Sequence, residues 1–117
     1  MGITFIDGTA RGPAGEEAEV TFLVDSGATY SLLPESVWRP IGLEPTREMT
    51  FTLADGTRVE RQIYSCYVVL PQGEDHTPVI LGEPGDEALL GVVTLEILGL
   101  VFNPFSRTLH PMRMMLA

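Results

Sequence analysis

The sequence predicts one small all-β domain with one or two short helices, and three observations support this prediction. Its 117 residues fit a single domain, which we assign to residues 1–117, and the hydrophobic share of 44% is that of a globular protein. Twelve glycines and nine prolines favour short strands separated by turns over long helices. Several segments are rich in β-branched and aromatic residues or alternate apolar with polar ones, as strands do. A closed barrel or a sandwich would fit this pattern.

The N-terminal region is predicted to form a hairpin. Residues 3–6 form the first strand in this prediction, and the turn-forming pair Asp7-Gly8 ends it. The turn-rich segment 11–15 then leads into a second strand at 18–24.

A second hairpin is predicted in the middle of the chain, around Asp55 and Gly56. This pair lies between the alternating segments 49–53 and 57–63, and glycine tolerates the positive φ that a tight turn requires. The second strand of this hairpin continues to residue 70. Two further strands are predicted at 77–81 and 100–103, and short helices at 34–38 and at 92–98, the latter ended by Gly99.

Charge and cysteine content limit the possible partners and locations. Seven arginines and no lysine stand against sixteen acidic residues, so the net charge is −9 and nucleic acid is not expected as a partner. Cys66 is the only cysteine, which excludes an intrachain disulfide; we expect it to be a small core residue in a reducing compartment. No signal pattern opens the chain, and the apolar stretch 92–102 is too short to cross a membrane. We therefore expect a soluble, cytoplasmic protein without a membrane partner.

The segment with the clearest chemical potential is Asp25 to Ala28. Asp25 follows an apolar strand directly and precedes Ser26 and Gly27. Ser26 offers a hydroxyl for a neighbouring backbone group, and Gly27 permits close approach of another backbone. Taken alone, however, Asp-Ser-Gly is most often a solvated turn. The local pattern therefore leaves both a turn and a functional carboxylate open.

The order of segments along the chain distinguishes these two possibilities. The Asp-Ser-Gly-Ala segment is followed by Ser-Leu-Leu-Pro at 31–34, by the hairpin at 53–57, by Leu-Leu-Gly at 89–91, and by Gly99 with a strand that ends in Asn103. From about residue 20 to residue 103, this order resembles the retroviral-type (retropepsin-like) aspartic peptidases of clan AA. It is most similar to their small bacterial members. The resemblance implies a small closed barrel of the retropepsin-like acid-protease type and aspartic endopeptidase activity.

The resemblance also implies roles for individual residues. Asp25 matches the catalytic aspartate, Ser26 the residue that braces two active-site loops across a dimer, and Gly27 a glycine whose carbonyl receives a substrate hydrogen bond. The residues that support the active-site loop would be Ser26, Gly27, Ala28, Leu90 and Gly91. The residues at the tip of the flap, which covers substrate, would be Ala54, Asp55, Gly56 and Thr57.

One chain supplies one Asp-Ser-Gly, whereas this chemistry needs two carboxylates. The resemblance therefore implies a homodimer that acts on a peptide or protein substrate without a metal or cofactor. There are departures: Val92 and Val93 stand where many viral members have Arg-Asn, whose Arg helps to hold the dimer together. The flap tip has a single glycine, and the tail 107–117 does not match the short viral C-terminus.

Other functions fit less well. One cysteine and two separated histidines, His76 and His110, make a zinc site improbable. A serine-hydrolase site lacks the Gly-x-Ser-x-Gly elbow. Two alternatives stay open, because fold does not fix function: a non-catalytic dimeric module that binds peptides as an added strand, and a structural β domain without a ligand.

Overall fold

The structure, a computed structural model, describes residues 3–113 and 115–116. The elements of this part of the chain are β1 Phe5–Arg11, β2 Glu17–Val24, β3 Ser31–Leu33, α1 Glu35–Trp38, β4 Arg47–Thr52, β5 Arg58–Leu70, β6 Gly73–Leu81, β7 Leu89–Leu90, α2 Val92–Ile97, β8 Leu100–Asn103 and β9 Thr108–Pro111. The prediction of an all-β fold with one or two short helices is confirmed, and the described residues contain two.

Seven strands form one curled sheet in the order β1-β2-β7-β3-β6-β5-β4, and β1 also pairs with β5. The closure is incomplete. Strands β1 and β5 pair only over Thr9 to Arg11, and β3 meets β7 at a single residue pair. Strand β5 ends at Leu70 because the chain turns at Pro71 and Gln72 and continues as β6, in which Gly73 pairs with Leu70. The expected barrel therefore exists in outline but is not strictly closed.

The core lies inside this curled sheet. Strand β2 shows the alternation that places it there: Val20 and Phe22 are buried, whereas Glu19 and Thr21 are exposed. The largest fully buried apolar side chains are Phe22, Leu33, Ile63, Val68, Val79 and Leu90. Each such side chain contributes roughly 1.5–3 kcal/mol when it leaves water. Phe22 and Leu90 lie next to the ends of β2 and β7, so the core supports the loop that follows β2.

The N-terminal hairpin is confirmed, but the predicted turn at Asp7-Gly8 is wrong. Strand β1 runs through both residues to Arg11, and Gly8 pairs with Val20. A Cβ on Gly8 would lie 2.7 Å from Leu70 Cδ2 and 2.8 Å from the Val69 carbonyl oxygen, so this glycine serves close packing instead of a turn. The turn itself lies at residues 12–15.

The remaining differences concern short elements. The sequence did not predict β3, β7 and β9, which have two to four residues each. Strands β3 and β7 pair with strands distant in sequence, and β9 belongs to the tail. Helix α2 ends at Ile97, and Gly99, two residues later, has the left-handed φ of 67° predicted for the residue that ends the helix. In the tail 107–117, β9 pairs with β8, and residues 114 and 117 lie outside the described residues.

Neither helix in the described residues has the length and apolar run needed to span a membrane.

Cys66 is a core residue, as predicted, with 0% of its surface exposed. Burial raises the pKa of its thiol from an ordinary value of 9.0 to about 11. Because the folded state favours the neutral thiol, Cys66 makes its full contribution to the free energy of unfolding below pH 9.0, the pKa in the unfolded chain. This contribution is lost as the pH rises from 9.0 through about 11, the pKa in the folded protein.

We therefore expect Cys66 to resist thiol reagents at pH 8 in the folded protein. Thiolate is the reactive form, and here it is both scarce and buried. Reaction with Ellman's reagent should be slow in buffer and fast in denaturant, as followed by absorbance. Equal rates in the two conditions would contradict this account of the thiol.

Candidate functional site

The loop after β2 holds Asp25 in a fixed orientation. Its backbone N–H donates to the Leu90 carbonyl oxygen at 3.1 Å, and its own carbonyl oxygen accepts from Ala28 N–H at 3.1 Å. The Gly27 N–H donates to Asp25 Oδ1 at 2.9 Å. Asp25 is half-buried, whereas Ser26 and Gly27 are exposed. The loop therefore presents a carboxylate at the surface with one of its oxygens held by the backbone.

Helix α2 supports this loop from below. The first N–H groups of a helix have no partner within the helix, and here Val92 and Val93 donate theirs to the carbonyl oxygens of Ala28 and Thr29 at 3.0 Å each. Gly91 makes this approach possible, because a Cβ there would lie 2.7–2.8 Å from backbone atoms of residues 29 and 30. The structure thus brings Leu90 and Gly91 directly against the loop of Asp25.

A chain of buried hydroxyls, which the sequence did not predict, reinforces the contact. Ser31 Oγ accepts from Gly91 N–H at 3.0 Å and is hydrogen-bonded to Thr94 Oγ1 at 2.5 Å. Thr94 Oγ1 is in turn 2.8 Å from Thr77 Oγ1. All three hydroxyl residues are at most 1% exposed, so the bonds link β3, α2 and β6 beneath the loop. The only cue in the sequence was the presence of Thr77 and Thr94 within apolar segments.

The hairpin of β4 and β5 carries the predicted flap residues at its tip. Ala54, Asp55, Gly56 and Thr57 are all exposed, and Gly56 has a φ of 88°. Thr57 N–H donates to Asp55 Oδ1 at 2.9 Å, and Gly56 N–H donates to the Leu53 carbonyl oxygen at 2.9 Å. The backbone N–H of Thr57, followed by its hydroxyl, holds the pKa of Asp55 below its usual value. The tip is thus a tight, hydrogen-bonded turn that projects into solvent.

Strand β4 of this hairpin contacts Tyr30, which lies just after the Asp25 loop in the chain. The rings of Tyr30 and Phe51 meet edge to face, with centroids 5.9 Å apart, and Arg47 Nη2 donates to the Tyr30 hydroxyl at 3.2 Å. The sequence did not predict these contacts. They connect the hairpin to the segment that carries Asp25.

Asp25 also lines a cleft of about 560 Å³. The opposite wall comes from β8 and the turn after it, through Phe102, Pro104, Phe105 and Arg107. Among the described residues that line this cleft, Asp25 is the one carboxylate. Elsewhere in the described part of the chain, no three His, Cys, Asp or Glu side chains are grouped so as to hold a metal ion.

Comparison with known proteins agrees with this arrangement. Residues 14–96 match the family described as gag-polyprotein putative aspartyl protease, a segment that includes the Asp25 loop, the hairpin of β4 and β5, and Leu90 with Gly91. Among curated proteins, none matches the chain. Since the family match covers more than two thirds of the chain, the protein belongs to the gag-polyprotein aspartyl protease family and is thus retropepsin-like.

Proposed function

We propose that the protein is an aspartic endopeptidase whose active site forms when two copies bring their Asp25 side chains together. One observation supports this most strongly: the loop fixes Asp25 at the surface, in a cleft with no second carboxylate among its described lining residues. Aspartic peptidases need two carboxylates, so a second copy must supply the other. A two-fold axis beside Asp25 would place the pair face to face.

In this mechanism the two carboxylates have different roles. One takes a proton from water as the water attacks the scissile carbonyl, and the other, protonated, donates to the carbonyl oxygen. Two carboxyls about 3 Å apart cannot both ionise, so they share one proton. Because Gly27 N–H holds Oδ1, the Asp25 carboxylate has a fixed orientation, and its oxygens keep acceptor positions for the proton shared with the partner carboxylate and for water.

The substrate would lie as an extended peptide between the loop and the flap. Gly27 is exposed and has no side chain, so its backbone is open to a substrate backbone. Ser26, also exposed, would brace the two loops across the dimer. The tip at Asp55 and Gly56 would close over the peptide and exclude water. The single buried thiol suits a reducing compartment, and we place the protein in the cytoplasm.

Gly56→Val should impair catalysis more than stability. A β-branched residue at a φ of 88° carries about 1–3 kcal/mol of local strain, although the space around Gly56 is open. The strained tip should close poorly and lower kcat/KM. Gly15→Val is the matched control, because Gly15 has a φ of 87° and open space in a different hairpin turn. Equal losses of kcat/KM in the two variants would contradict a role for the flap.

The proposed activity is tested with a peptide library at pH 3–7, with and without a transition-state analogue of aspartic peptidases. We expect cleavage that the analogue inhibits. Stoichiometric binding of peptides by an intact dimer, without any cleavage, would instead support the non-catalytic binding module.

A further inference from the structure

The turn between β8 and β9 presents an aromatic side chain to solvent on a well-fixed backbone. Asn103 Oδ1 accepts from the N–H groups of Phe105 at 2.9 Å and Ser106 at 3.2 Å, and Arg107 N–H donates to the Asn103 carbonyl oxygen at 2.8 Å. Phe105 is nevertheless 97% exposed. An exposed aromatic ring on a rigid turn loses little conformational freedom when a partner covers it.

An apolar groove lies beside this turn, between α2 and β8. It has a volume of about 320 Å³, and its walls include Leu95, Val101, Phe102 and Met112. Glu96 also lines it, and Val101 is 48% exposed. The groove thus offers a shallow apolar recess with a carboxylate at its rim.

Both features adjoin Asp25. Ser26 and Phe102 line the groove and also the cleft that contains Asp25 and Phe105. In a two-fold dimer the same surface meets itself, so a surface that has both a projection and a recess can complement its own copy. An axis that brings two Asp25 residues together passes through this surface. Such an axis would bring the Phe105 of one copy near the groove of the other, because the cleft and the groove share Ser26 and Phe102.

Charge supports the same contact. Two copies that each carry −9 repel one another, so the interface needs local attraction. Arg107 lies two residues beyond Phe105, and Glu96 lines the groove that would receive Phe105. Within the described residues, neither Arg107 nor Glu96 takes part in an ion pair of its own chain. Seating Phe105 in the groove would bring Arg107 to the partner's Glu96, twice per dimer.

We propose that the β8–β9 hairpin assembles the catalytic dimer: Phe105 of each copy fills the groove of the other, and Arg107 pairs with the partner subunit's Glu96. This inference rests on the proposed function and adds the interface that builds its active site. The β8–β9 hairpin lies outside residues 14–96, the segment of the chain that matches the family.

A charge exchange tests the proposal, with the dimer dissociation constant measured by analytical ultracentrifugation. Arg107→Glu and Glu96→Arg should each weaken the dimer about tenfold, because two pairs become repulsive, and the double variant should recover most of that loss. Phe105→Ala should weaken it by at least about 100-fold, since two aromatic side chains lose their burial. Its circular dichroism should be unchanged, because the side chain is exposed in one copy.

Ser36→Asp is the control: it adds a negative charge at an exposed position of α1 that lines neither the cleft nor the groove. It should leave the dissociation constant unchanged. A double variant as weak as the single ones, or a Phe105→Ala dimer as tight as the wild type, would overturn the interface.

The outcomes separate this inference from the proposed function. If the wild type dimerises and cleaves peptides while the substitutions change nothing, the interface lies elsewhere and the peptidase proposal stands. If the charge exchange alters and restores dimerisation but the wild type cleaves nothing, the interface stands and the peptidase proposal fails.

Discussion

Replacing Asp25 with Asn should abolish peptide hydrolysis while leaving the fold intact. Asn is nearly isosteric, and its Oδ1 can still accept the Gly27 N–H bond that orients the loop. It cannot serve as a general base, and in a homodimer the substitution removes both carboxylates at once. We expect kcat to fall by about 10⁴-fold or more, the upper end of what general acid–base catalysis contributes. Steady-state kinetics and thermal denaturation would measure the two effects separately.

Asp75→Asn provides the matched control. Asp75 is exposed in β6 and accepts a backbone N–H from His76 at 2.7 Å, so the chemical change is the same at a position outside the cleft. Its activity should equal that of the wild type. Hydrolysis by pure Asp25→Asn protein at a rate close to the wild-type rate would exclude the mechanism.

Gly91→Ala should reduce both stability and activity. A Cβ at this position would lie 2.7 Å from the Tyr30 carbonyl carbon and 2.8 Å from the Thr29 carbonyl oxygen, so backbone must move. Overpacking of this kind costs about 1–3 kcal/mol of unfolding free energy. The displaced segment is the one that positions Asp25, and a shift of about 1 Å at a catalytic group can cost on the order of 100-fold in rate.

Gly73→Ala tests whether the steric contact is the cause. The nearest atom to a Cβ at Gly73 is the Leu98 carbonyl oxygen at 4.0 Å, and the backbone there needs no positive φ. Chemical denaturation should therefore show little change for this variant. Wild-type stability and kcat for Gly91→Ala would mean that the loop does not depend on close packing against α2.

The sequence was sufficient to predict features that depend on local chemistry. Asp25 follows an apolar strand, so its place at a loop after β2 could be predicted. The Asp55-Gly56 turn was predictable because a tight turn requires a positive φ, and glycine adopts a positive φ without steric cost. Gly99 marked the end of α2 for the same reason.

Features that depend on distant partners could not be predicted. Asp7-Gly8 has turn chemistry, but the close approach of Leu70 keeps this segment in a strand, and no local pattern reveals that contact. The hydroxyl bonds of Ser31 and Thr94 join residues 63 positions apart. The position of Phe105 beside Asp25 likewise follows from the pairing of β8 with β9, for which the sequence offered no signal.

The dependence of activity on protein concentration is the most direct test of whether two copies share one active site. The wild-type protein would be diluted from micromolar to nanomolar concentration, with hydrolysis rate per chain and dimer fraction measured on the same samples. Because the proposed active site requires Asp25 from two copies, the rate per chain should fall in proportion to the dimer fraction. A protein that is monomeric by ultracentrifugation at nanomolar concentration and retains its full rate per chain would show that one copy is sufficient for catalysis.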